Sequence, residues 1–384
     1  MPIDSGTEQA NEKIRVTFLA RSLDFGGTQR QLVTLAKAID KSRFEISIVT
    51  FYGGHAFEHE LVGTDVQVIS LDKAGRWDLF MFLRRLVRTV KETRPHIIHG
   101  YLDVPNVLAL YLRRFVPAQV VWGVRAGPMA LDQYDWLFRL AARLEQSLAK
   151  SPDLIIVNSY TAFAEQLRKG FPEDKLKLIP NGIDSDFFKP DQSAREQLRK
   201  SWSVDESIAL IGTVGRLDPV KDLPTFLNAA AIVSREVPSA RFVCVGEGPP
   251  DYTRQLTALA QSLGIADKLI WAGPLSEMVA VYNALDLFVS ASLAESSPNV
   301  VAEAMLCEVR CVATDAGDSK LVVGELAKVV PPKHPELLAE TIIASLSTGQ
   351  ERSPESRSRI IENFSVEKLA RDTENVLTDL VFRR

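Results

Sequence analysis

Short apolar runs alternate with segments of helical periodicity along almost the whole chain. Most of these runs are continuously apolar, which is typical of parallel strands that are covered on both faces. In the first half the pattern predicts strands at 14–20, 45–51, 66–70, 97–101, 120–124 and 154–158. Segments of helical periodicity lie between and after them, at 28–39, 78–92, 106–115, 132–150 and 161–169. This alternation predicts a doubly wound parallel sheet.

A second series of the same kind follows the turn-forming residues Asn181, Gly182 and Pro190. It predicts strands at 209–214, 241–245, 269–271, 287–290 and 311–314, and helices at 223–236, 251–263, 278–284, 298–306 and 335–345. We therefore expect two similar α/β domains, at 1–185 and 186–365. The remaining segment, 366–384, is predicted to be helical over 366–382.

Composition narrows the class of protein. A chain of 384 residues exceeds the size at which a single core stops growing, about 250–300 residues. The net charge of −4 does not favour nucleic acid as a partner. Three cysteines without CxxC spacing indicate no metal site, and their odd number suggests a reducing compartment. No apolar run reaches the roughly 18–20 residues that cross a bilayer, and the polar N-terminus has no signal core, so we expect a cytoplasmic protein.

The residues directly after each strand are the candidate ligand-binding residues, because open parallel sheets bind ligands at the carboxyl ends of their strands. Two such domains facing each other would share a central cleft. The strand at 287–290 continues into ASLAESSPNVVAEAM. We expect Ser297 to cap the next helix and Pro298 to be its first residue. Free amides at Asn299 and Val300 would then suit a phosphate group.

Two carboxylates flank this helix tip. Glu303 lies about five residues into the helix, roughly 7.5 Å along its axis, where it could accept hydrogen bonds from a ribose diol. A buried carboxylate needs such a partner, because burying an unpaired charge is costly. Glu295 precedes the helix and would face sugar hydroxyls. In the alternative interpretation Glu303 pairs with Arg310 and Glu295 is solvated.

The loop after the first strand of the second domain carries two cations, Arg216 and Lys221, in VGRLDPVKDLP. Gly215 allows a close backbone turn before them. Both cations would point into the cleft, where a diphosphate requires positive charge. The alternative is a solvated basic pair whose local partners are Asp218 and Asp222.

Two glycine turns follow strands elsewhere. Gly26 and Gly27, in RSLDFGGTQRQ, precede a helix that we expect Thr28 to cap, and Gly246, in VGEGPP, is expected to shape the cleft wall near a base or sugar. Neither stretch completes G-x-G-x-x-G, so a nicotinamide-dependent oxidoreductase is the least favoured function. A plain strand-to-helix turn is the alternative for the first of them.

Polar side chains also end two strands of the first domain. His99 and Asp103 lie in HGYLDVPN, and Arg125 lies in WGVRAG. Each could reach an acceptor or the donor sugar. The alternative for His99 is a structural role, which is usual for a lone histidine at a strand end.

Several stretches occur in the order seen in one enzyme family: GGTQRQLVTLAKAI, VNSYTAF, LKLIPNGIDSDFFKP, VGRLDPVKDLPTFLNAA, VGEGP and AESSPNVVAEAM. Over nearly its whole length the chain thereby resembles the group 1 glycosyltransferases of family four. The resemblance implies a GT-B fold, in which two Rossmann-like doubly wound domains face a central cleft and the last helix crosses back to the first domain. It also implies retaining transfer from nucleotide-sugar donors such as UDP-sugars.

The resemblance further implies roles for individual residues. Arg216 and Lys221 resemble the pair that neutralises the donor diphosphate, Glu303 the acid that binds the ribose, and Glu295 the acid that meets the donor sugar. Backbone groups would complete the donor site at Ser297, Pro298, Asn299, Val300, Gly26 and Gly27.

The chain departs from the family pattern at three places, one of which is a family glycine that is absent from the loop GDSKLVVGELAKVVPP. Many relatives carry a histidine where this chain has Arg125, and a glycine and an aromatic residue where it has Ser296 and Ser297. The departure at Arg125 leaves open which group of the first domain takes part in catalysis, and Arg125 is the candidate.

The chemistry predicted from these residues is a metal-independent glycosyl transfer without a cofactor. Arg216, Lys221 and the helix tip would stabilise the charge that develops on the leaving diphosphate. Because no carboxylate is placed to attack C1, the acceptor would attack from the same face; Glu295 and Arg125 complete the set of catalytic candidates. The acceptor would be a glycan or a lipid-linked sugar in cell-surface polysaccharide or glycolipid synthesis. Alternatives are an epimerase or hydrolase of the same fold and a non-catalytic subunit that binds nucleotide sugars.

One predicted helix bears on the cellular location of the protein. The segment LFMFLRRLVRTVKETR, at 79–94, places apolar and basic residues at helical spacing, and YLRRF, at 111–115, adds cations. Such helices can lie on anionic membranes, which predicts a peripheral contact with the inner face of the membrane. The alternative is a core-facing helix with a solvated basic face.

Overall fold

The computed structural model describes residues 12–24, 26–75, 78–125, 143–347 and 352–382. The chain divides into two compact units, with boundaries after Gly182 and after Ser365. The first unit contains the described residues up to Gly182 and the C-terminal segment that starts at Val366. The second unit runs from Ile183 to Ser365.

Each unit is built on one parallel sheet. The strands of the first sheet are β1 (Ile14–Ala20), β2 (Phe44–Thr50), β3 (Val66–Ser70), β4 (Ile97–Tyr101), β5 (Gln119–Val124), β6 (Leu154–Val157) and β7 (Leu176–Leu178), in the spatial order β3-β2-β1-β4-β5-β6-β7. Those of the second are β8 (Leu210–Val214), β9 (Arg241–Val245), β10 (Leu269–Gly273), β11 (Leu287–Ser290), β12 (Arg310–Thr314) and β13 (Lys328–Val330), in the order β10-β9-β8-β11-β12-β13.

Helices connect the strands and cover the sheets. In the first unit they are α1 (Gly27–Ala38), α2 (Leu79–Thr93), α3 (Asp103–Leu112) and α4 (Tyr160–Arg168). In the second unit they are α5 (Gln192–Ser201), α6 (Leu223–Glu236), α7 (Pro250–Ser262), α8 (Met278–Ala284), α9 (Asn299–Leu306), α10 (Ser319–Val323), α11 (Pro335–Ser347) and α12 (Pro354–Phe364). The last helix, α13 (Val366–Phe382), belongs to the first unit.

Both faces of each sheet are buried, as the continuous apolar runs predict. Val16 and Phe18 of β1 belong to one core cluster and Leu19 to a second, because successive side chains of a strand point to opposite faces. Leu369 and Leu377 of α13 join the first of these clusters. The second sheet is likewise packed between two apolar clusters.

The predicted strands are all present, with bounds that differ by at most two residues. Helix α3 begins three residues earlier than predicted, since Leu102, with φ +72°, turns the chain directly after β4. The helix predicted at 132–150 lies mostly outside the described residues; 143–147 is helical. Of the described strands and α-helices given above, five were not predicted, because they are short or polar: β7, β13, α5, α10 and α12.

The strand order places a ligand-binding position in each sheet. It reverses between β1 and β4 in the first unit and between β8 and β11 in the second. In doubly wound sheets ligands bind beyond the carboxyl ends of the strands at such a reversal. The prediction of two Rossmann-like doubly wound sheets is therefore confirmed. Among the helices that the structure describes, none has the length and apolar character to span a membrane.

Candidate functional site

The two loops beside the strand reversal of the second sheet are joined by an ion pair. Lys221, in the loop after β8, donates to Oε1 of Glu295, in the loop after β11, at 2.5 Å. Ser292 donates its hydroxyl to the same oxygen at 2.7 Å, and the amide of Leu293 donates to the carbonyl of Val220 at 2.8 Å. The exposed fractions of the Lys221 and Glu295 side chains are 24% and 12%. Glu295 is therefore a paired carboxylate, and the interpretation of it as a solvated acid is wrong.

The acids near Lys221 in sequence have other partners. Asp222 accepts hydrogen bonds from the amide and the hydroxyl of Thr225 and so caps α6. Asp218 lies 3.4 Å from Arg216, whose side chain is 79% exposed. An ion pair this exposed contributes little to stability, so the guanidinium of Arg216 is held only loosely.

Gly246 brings three strand-end loops into backbone contact. Its φ is +131°, and a Cβ atom there would lie 2.0 Å from the carbonyl oxygen of Gly215. Its amide donates to the carbonyl of Gly273 at 2.8 Å, while Gly215 donates to Val245 at 3.0 Å. The loops after β8, β9 and β10 therefore pack without side chains between them, and a larger residue at 246 would separate them.

The tip of α9 differs from the predicted one. The helix begins at Asn299, its N-cap residue is Pro298, and no side chain caps it. The amide of Asn299 donates to the carbonyl of Ser297 at 3.0 Å. The predictions that Ser297 caps the helix, that Pro298 is its first residue and that Asn299 offers a free amide are therefore wrong. A three-residue turn centred on Pro298 therefore precedes the helix.

Glu303 is the fifth residue of α9 and is held by a tyrosine. Tyr282 of α8, completely buried, donates its hydroxyl to Oε2 of Glu303 at 2.5 Å. Burial, and then the negative charge of Glu303, raise the pKa of Tyr282 well above its usual range, so its hydroxyl stays a donor at neutral pH. Arg310, the alternative partner, donates to the backbone carbonyl of Ser345.

The loop after β12 fixes the other side of the Glu295 loop. Gly317 has a φ of +58°, and a Cβ atom there would lie 2.0 Å from the carbonyl oxygen of Glu295. The amide of Asp318 donates to the carbonyl of Ser296 at 3.2 Å, and the hydroxyl of Thr314 donates to the backbone carbonyl of Ser292 at 2.6 Å. Glu295 therefore stands on a loop that neighbouring loops hold from both sides.

In the first unit, the glycine turn after β1 leads into α1. Gly26 is the N-cap residue and Gly27 the first helical residue, so the prediction that Thr28 caps this helix is wrong. The amide of Arg30 donates to the carbonyl of Gly26 at 2.9 Å. Both glycines are exposed at the carboxyl end of the sheet, beside the strand reversal.

His99 lies inside the core. Its ring is completely buried and lies 5.0 Å, centroid to centroid, from both Phe18 and Tyr101. Burial, and then the positive charge of Arg125, lower the pKa of His99 well below its usual range, so the imidazole is neutral at pH 7. It would reach a ligand only through its neighbours.

Arg125, directly after β5, is 6% exposed. Its guanidinium donates to the hydroxyl of Tyr101 at 2.9 Å and to the side-chain oxygen of Asn181 at 3.2 Å. It also stacks on the ring of Tyr101, 4.8 Å from its centroid. The side-chain amide of Asn158 donates to the same oxygen of Asn181 at 3.4 Å. Arg125 is thus held by neutral groups.

Asp103, the first residue of α3, forms a pair with Glu145. Burial, and then the charge of Asp103, raise the pKa of Glu145 to about 8, while burial raises that of Asp103. Glu145 accordingly carries a proton at pH 7 and donates it to Asp103. Asn106 donates to Glu145 at 2.6 Å and also bonds the backbone of Gly123 on β5.

Sequence reasoning did not find several of these partners. Tyr282 is 21 positions from Glu303, and Asn181 is 56 from Arg125. Short-range spacing carries no signal for such contacts. The glycine after Asn181 predicts a turn, and this turn explains the backbone of Asn181 but not the contacts of its side chain.

Comparison with known proteins identifies the family. Residues 25–187 match the family described as Glycosyltransferase Family 4, and residues 209–348 match Glycosyl transferases group 1. The chain is 26% identical over 305 residues to an undecaprenol-linked α-1,4-N-acetyl-D-galactosaminyltransferase of Campylobacter jejuni, which covers 77% of this chain and 78% of that protein. It is 31% identical over 218 residues to the D-inositol 3-phosphate glycosyltransferase of Acidothermus cellulolyticus, covering 53% and 48% of the two chains.

Solved structures show the same architecture. The structure of Anabaena Alr3699/HepE in complex with UDP-glucose superposes with a TM-score of 0.84 at 22% identity, over 95% of this chain and all of the other. That of WaaG, a glycosyltransferase involved in lipopolysaccharide biosynthesis, gives 0.73 at 17% identity, over 94% and 99%. With these matches to both halves, the chain belongs to the group 1, family 4 glycosyltransferases, enzymes that use nucleotide-sugar donors, and it has the GT-B fold.

Proposed function

We propose that the protein transfers a sugar, with retention of configuration and without a metal ion, from a nucleotide-diphosphate sugar to a glycan or lipid-linked acceptor. The second unit would bind the donor and the first unit the acceptor. The observation that carries the proposal is the Lys221–Glu295 pair, which joins two loops at the strand reversal of the second sheet. The undecaprenol-linked glycan acceptor in the name of the Campylobacter jejuni relative, and the part of WaaG in lipopolysaccharide biosynthesis, support a polysaccharide or glycolipid product.

Lys221 is the central cation of the proposed diphosphate site. Its ammonium group has three N–H donors, one of which is directed at Glu295. The other two can bind phosphate oxygens as negative charge develops on the leaving group. Arg216, largely exposed on a flexible stem, would close on the same group, together with the backbone from Ser297 to Val300.

Glu303 is the proposed ribose ligand. The hydrogen bond from Tyr282 fixes one carboxylate oxygen and so orients the side chain from the buried side. A carboxylate has about four acceptor positions, so an oriented one can also bind the two hydroxyls of a ribose diol. The pair Tyr282–Glu303 thereby combines a fixed geometry with acceptor capacity.

The proposed reaction is a same-face displacement at the anomeric carbon. Glu295 would bind the donor-sugar hydroxyls and hold Lys221 in place, Arg125 would contribute from the first unit, and Gly26 and Gly27 would approach the donor with their backbone. The acceptor hydroxyl forms the new bond to C1 as the bond from C1 to the diphosphate oxygen breaks. The proton of that hydroxyl passes to the departing phosphate, so that the product keeps the donor configuration.

The test is the kinetics of Lys221→Ala, with Lys200→Ala, an exposed lysine of α5, as the control. We expect kcat to fall about 10²–10³-fold in the first variant, by analogy with the removal of one group that stabilises developing charge, and to be unchanged in the second. Near-normal turnover by Lys221→Ala would contradict the proposal.

A labelled donor separates this reaction from the two alternatives. Rapid formation of an epimer or free sugar in the absence of acceptor would identify an epimerase or hydrolase. Tight binding of the nucleotide without turnover on any acceptor would identify a binding subunit. An NMR assignment of the anomeric configuration of the product tests retention.

We also propose a peripheral contact with anionic membrane at the inner leaflet, through α2. Its first three residues, Leu79, Phe80 and Met81, are 58%, 72% and 51% exposed. Arg84 and Arg88 are exposed one and two turns after Phe80, while the opposite face is buried in the core. Apolar side chains beside basic ones are typical of helices that lie on anionic lipid.

Vesicle co-sedimentation tests this contact. The protein should bind phosphatidylcholine vesicles that contain phosphatidylglycerol at low salt, and less at high salt because screening weakens charge attraction. Arg84→Glu should reduce binding, whereas Arg254→Glu, an exposed arginine of α7, should not. Absence of binding to anionic vesicles at low salt would reject the contact.

A further inference from the structure

Arg125 is a buried cation whose hydrogen-bond partners are neutral. It stands at the carboxyl end of β5, next to the strand that borders the reversal of the first sheet. The hydroxyl of Tyr101 and the side-chain amide of Asn181 each accept one hydrogen bond from it. Its Nε–H group is buried and has no acceptor among the residues that the structure describes.

The charge of this guanidinium is not balanced by a described acid. Within the described parts of the chain, no carboxylate oxygen lies within 4.0 Å of Arg125. The Tyr101 ring, 4.8 Å from the guanidinium, offsets only part of the cost of removing a charge from water. A buried arginine of this kind needs an anion or loses stability.

Two other buried arginines of the same chain are paired with an acid. Arg195 and Arg199 are as buried as Arg125, at 7% and 1% exposure. Both bond the carboxylate of Asp286, at 2.7 and 3.1 Å. Among the buried arginines that the structure describes, Arg125 is therefore the one without an acidic partner, and it lies at the end of the sheet where ligands bind.

The described side chains that contact or neighbour Arg125 do not place a carboxylate against its guanidinium. His99 is neutral, because burial and the charge of Arg125 itself lower its pKa. Burial raises the pKa of Tyr101, so this side chain remains a neutral phenol. Glu145, at the same end of the sheet, is protonated at pH 7, and the remaining negative charge of this pair is on Asp103, which forms no ion pair with Arg125. Within the part of the chain that the structure describes, the positive charge of Arg125 therefore has no acidic partner.

We propose that Arg125 binds an anionic group of the substrate, a carboxylate or a phosphate, carried either by the donor sugar or by the acceptor. A guanidinium has five N–H donors in a planar fork, of which two are used here, so a pair remains for bidentate contact with such a group. This inference rests on the proposed function and adds to it: the enzyme would act on an acidic sugar, such as a hexuronate donor, or on a phosphorylated acceptor.

The unliganded protein provides the first test, which requires no knowledge of the substrate. If the charge of Arg125 is held for a ligand, Arg125→Gln should melt at the same or a higher temperature than the wild type, because the substitution removes an uncompensated buried charge. Arg195→Gln should melt lower, since it leaves Asp286 without one of its partners. A loss of stability in Arg125→Gln as large as that in Arg195→Gln would show a structural role and overturn the proposal.

The second test measures selectivity. Binding assays with UDP, GDP and ADP first identify the nucleotide base that the protein prefers. The affinities for the hexose and hexuronate donors that carry this base are then compared by calorimetry in the wild type and in Arg125→Gln. The expected result is a fall in the ratio of hexuronate to hexose affinity of at least about 10-fold in the variant, with Arg125→Lys intermediate because it keeps the charge but not the fork.

The acceptor arm uses the neutral donor with phosphorylated and unphosphorylated acceptor sugars, and a selective loss with the phosphorylated one assigns the anion to the acceptor. Equal losses with every substrate, or no change in either ratio, would overturn the proposal. These ratios are independent of the Lys221→Ala result, and the calorimetric arm does not require turnover. A failure of the proposed transfer is therefore distinguishable from a failure of the anion site.

Discussion

The Asp103–Glu145 pair predicts that the first unit becomes less stable as the pH rises from the mildly acidic range to about 8. Glu145 has an ordinary pKa of 4.5 and a pKa of about 8 in the folded protein. Over this range the folded protein keeps a proton that the unfolded chain has lost. The stability that this proton provides is therefore lost progressively as the pH rises from 4.5 through about 8. Glu145→Gln should remove this dependence, because an amide can donate to Asp103 at every pH.

The size of the effect follows from proton linkage. With these two pKa values, the free energy of unfolding should fall by about 3 kcal/mol between pH 5.5 and pH 9. Since each kcal/mol shifts the melting temperature of a domain of this size by roughly 2–4 °C, the wild type should lose about 6–12 °C relative to Glu145→Gln. The hydrogen bond from Asn106, at 2.6 Å, is conserved in the variant, whose amide oxygen can accept it.

Differential scanning calorimetry of the two proteins from pH 5.5 to pH 9 measures the difference. Glu173→Gln, at an exposed position of the same unit, controls for the loss of a negative charge. Melting curves of wild type and Glu145→Gln that run parallel over this range would refute the shared proton. The charge of Lys169 lowers the pKa values of both Glu145 and Asp103. Replacing Lys169 with methionine should therefore enlarge the difference in melting temperature between the protein with Glu145 and its Glu145→Gln variant.

Two further substitutions test the donor loops of the second unit. Gly246→Ala should lower the free energy of unfolding by about 3 kcal/mol, because its Cβ atom would meet the Gly215 carbonyl. The control Gly264→Ala, at a glycine with φ +69° and open space around it, should lower it by only about 1 kcal/mol. Equal midpoints of urea unfolding for the two variants would contradict this prediction. Tyr282→Phe should weaken binding of the donor nucleotide about 10-fold in calorimetry, since Glu303 loses the hydroxyl that orients it, and unchanged affinity would argue against Glu303 as the ribose ligand.

Much of the fold follows from local pattern, whereas the site does so only in part. The continuous apolar runs and turn residues predict the strands, since burial on both faces leaves a clear signature in sequence. The polar helix α5 has a different basis: Arg195 and Arg199 are buried by pairing with Asp286, 91 and 87 positions away. A pattern of apolar spacing does not register a helix that is fixed by buried ion pairs.

The site residues show the same division. Lys221 and Glu295 could be nominated because each follows a strand, but their ion pair spans 74 positions. Ser297 has the right residue type for a helix cap, yet the carbonyl of Ser297 accepts the amide of Asn299, so the preference was overridden by the turn at Pro298. Whether Arg125 is balanced by an acid depends on the three-dimensional surroundings, which the sequence alone does not provide.

A crystal structure of the protein with its nucleoside diphosphate bound would show directly whether these residues form the donor site. We expect phosphate oxygens within hydrogen-bond distance of Lys221 Nζ and of the backbone at the start of α9, and ribose hydroxyls on the carboxylate of Glu303. A nucleotide bound at any other place, with Lys221 and Glu303 making no contact with it, would show that the donor site has been assigned wrongly.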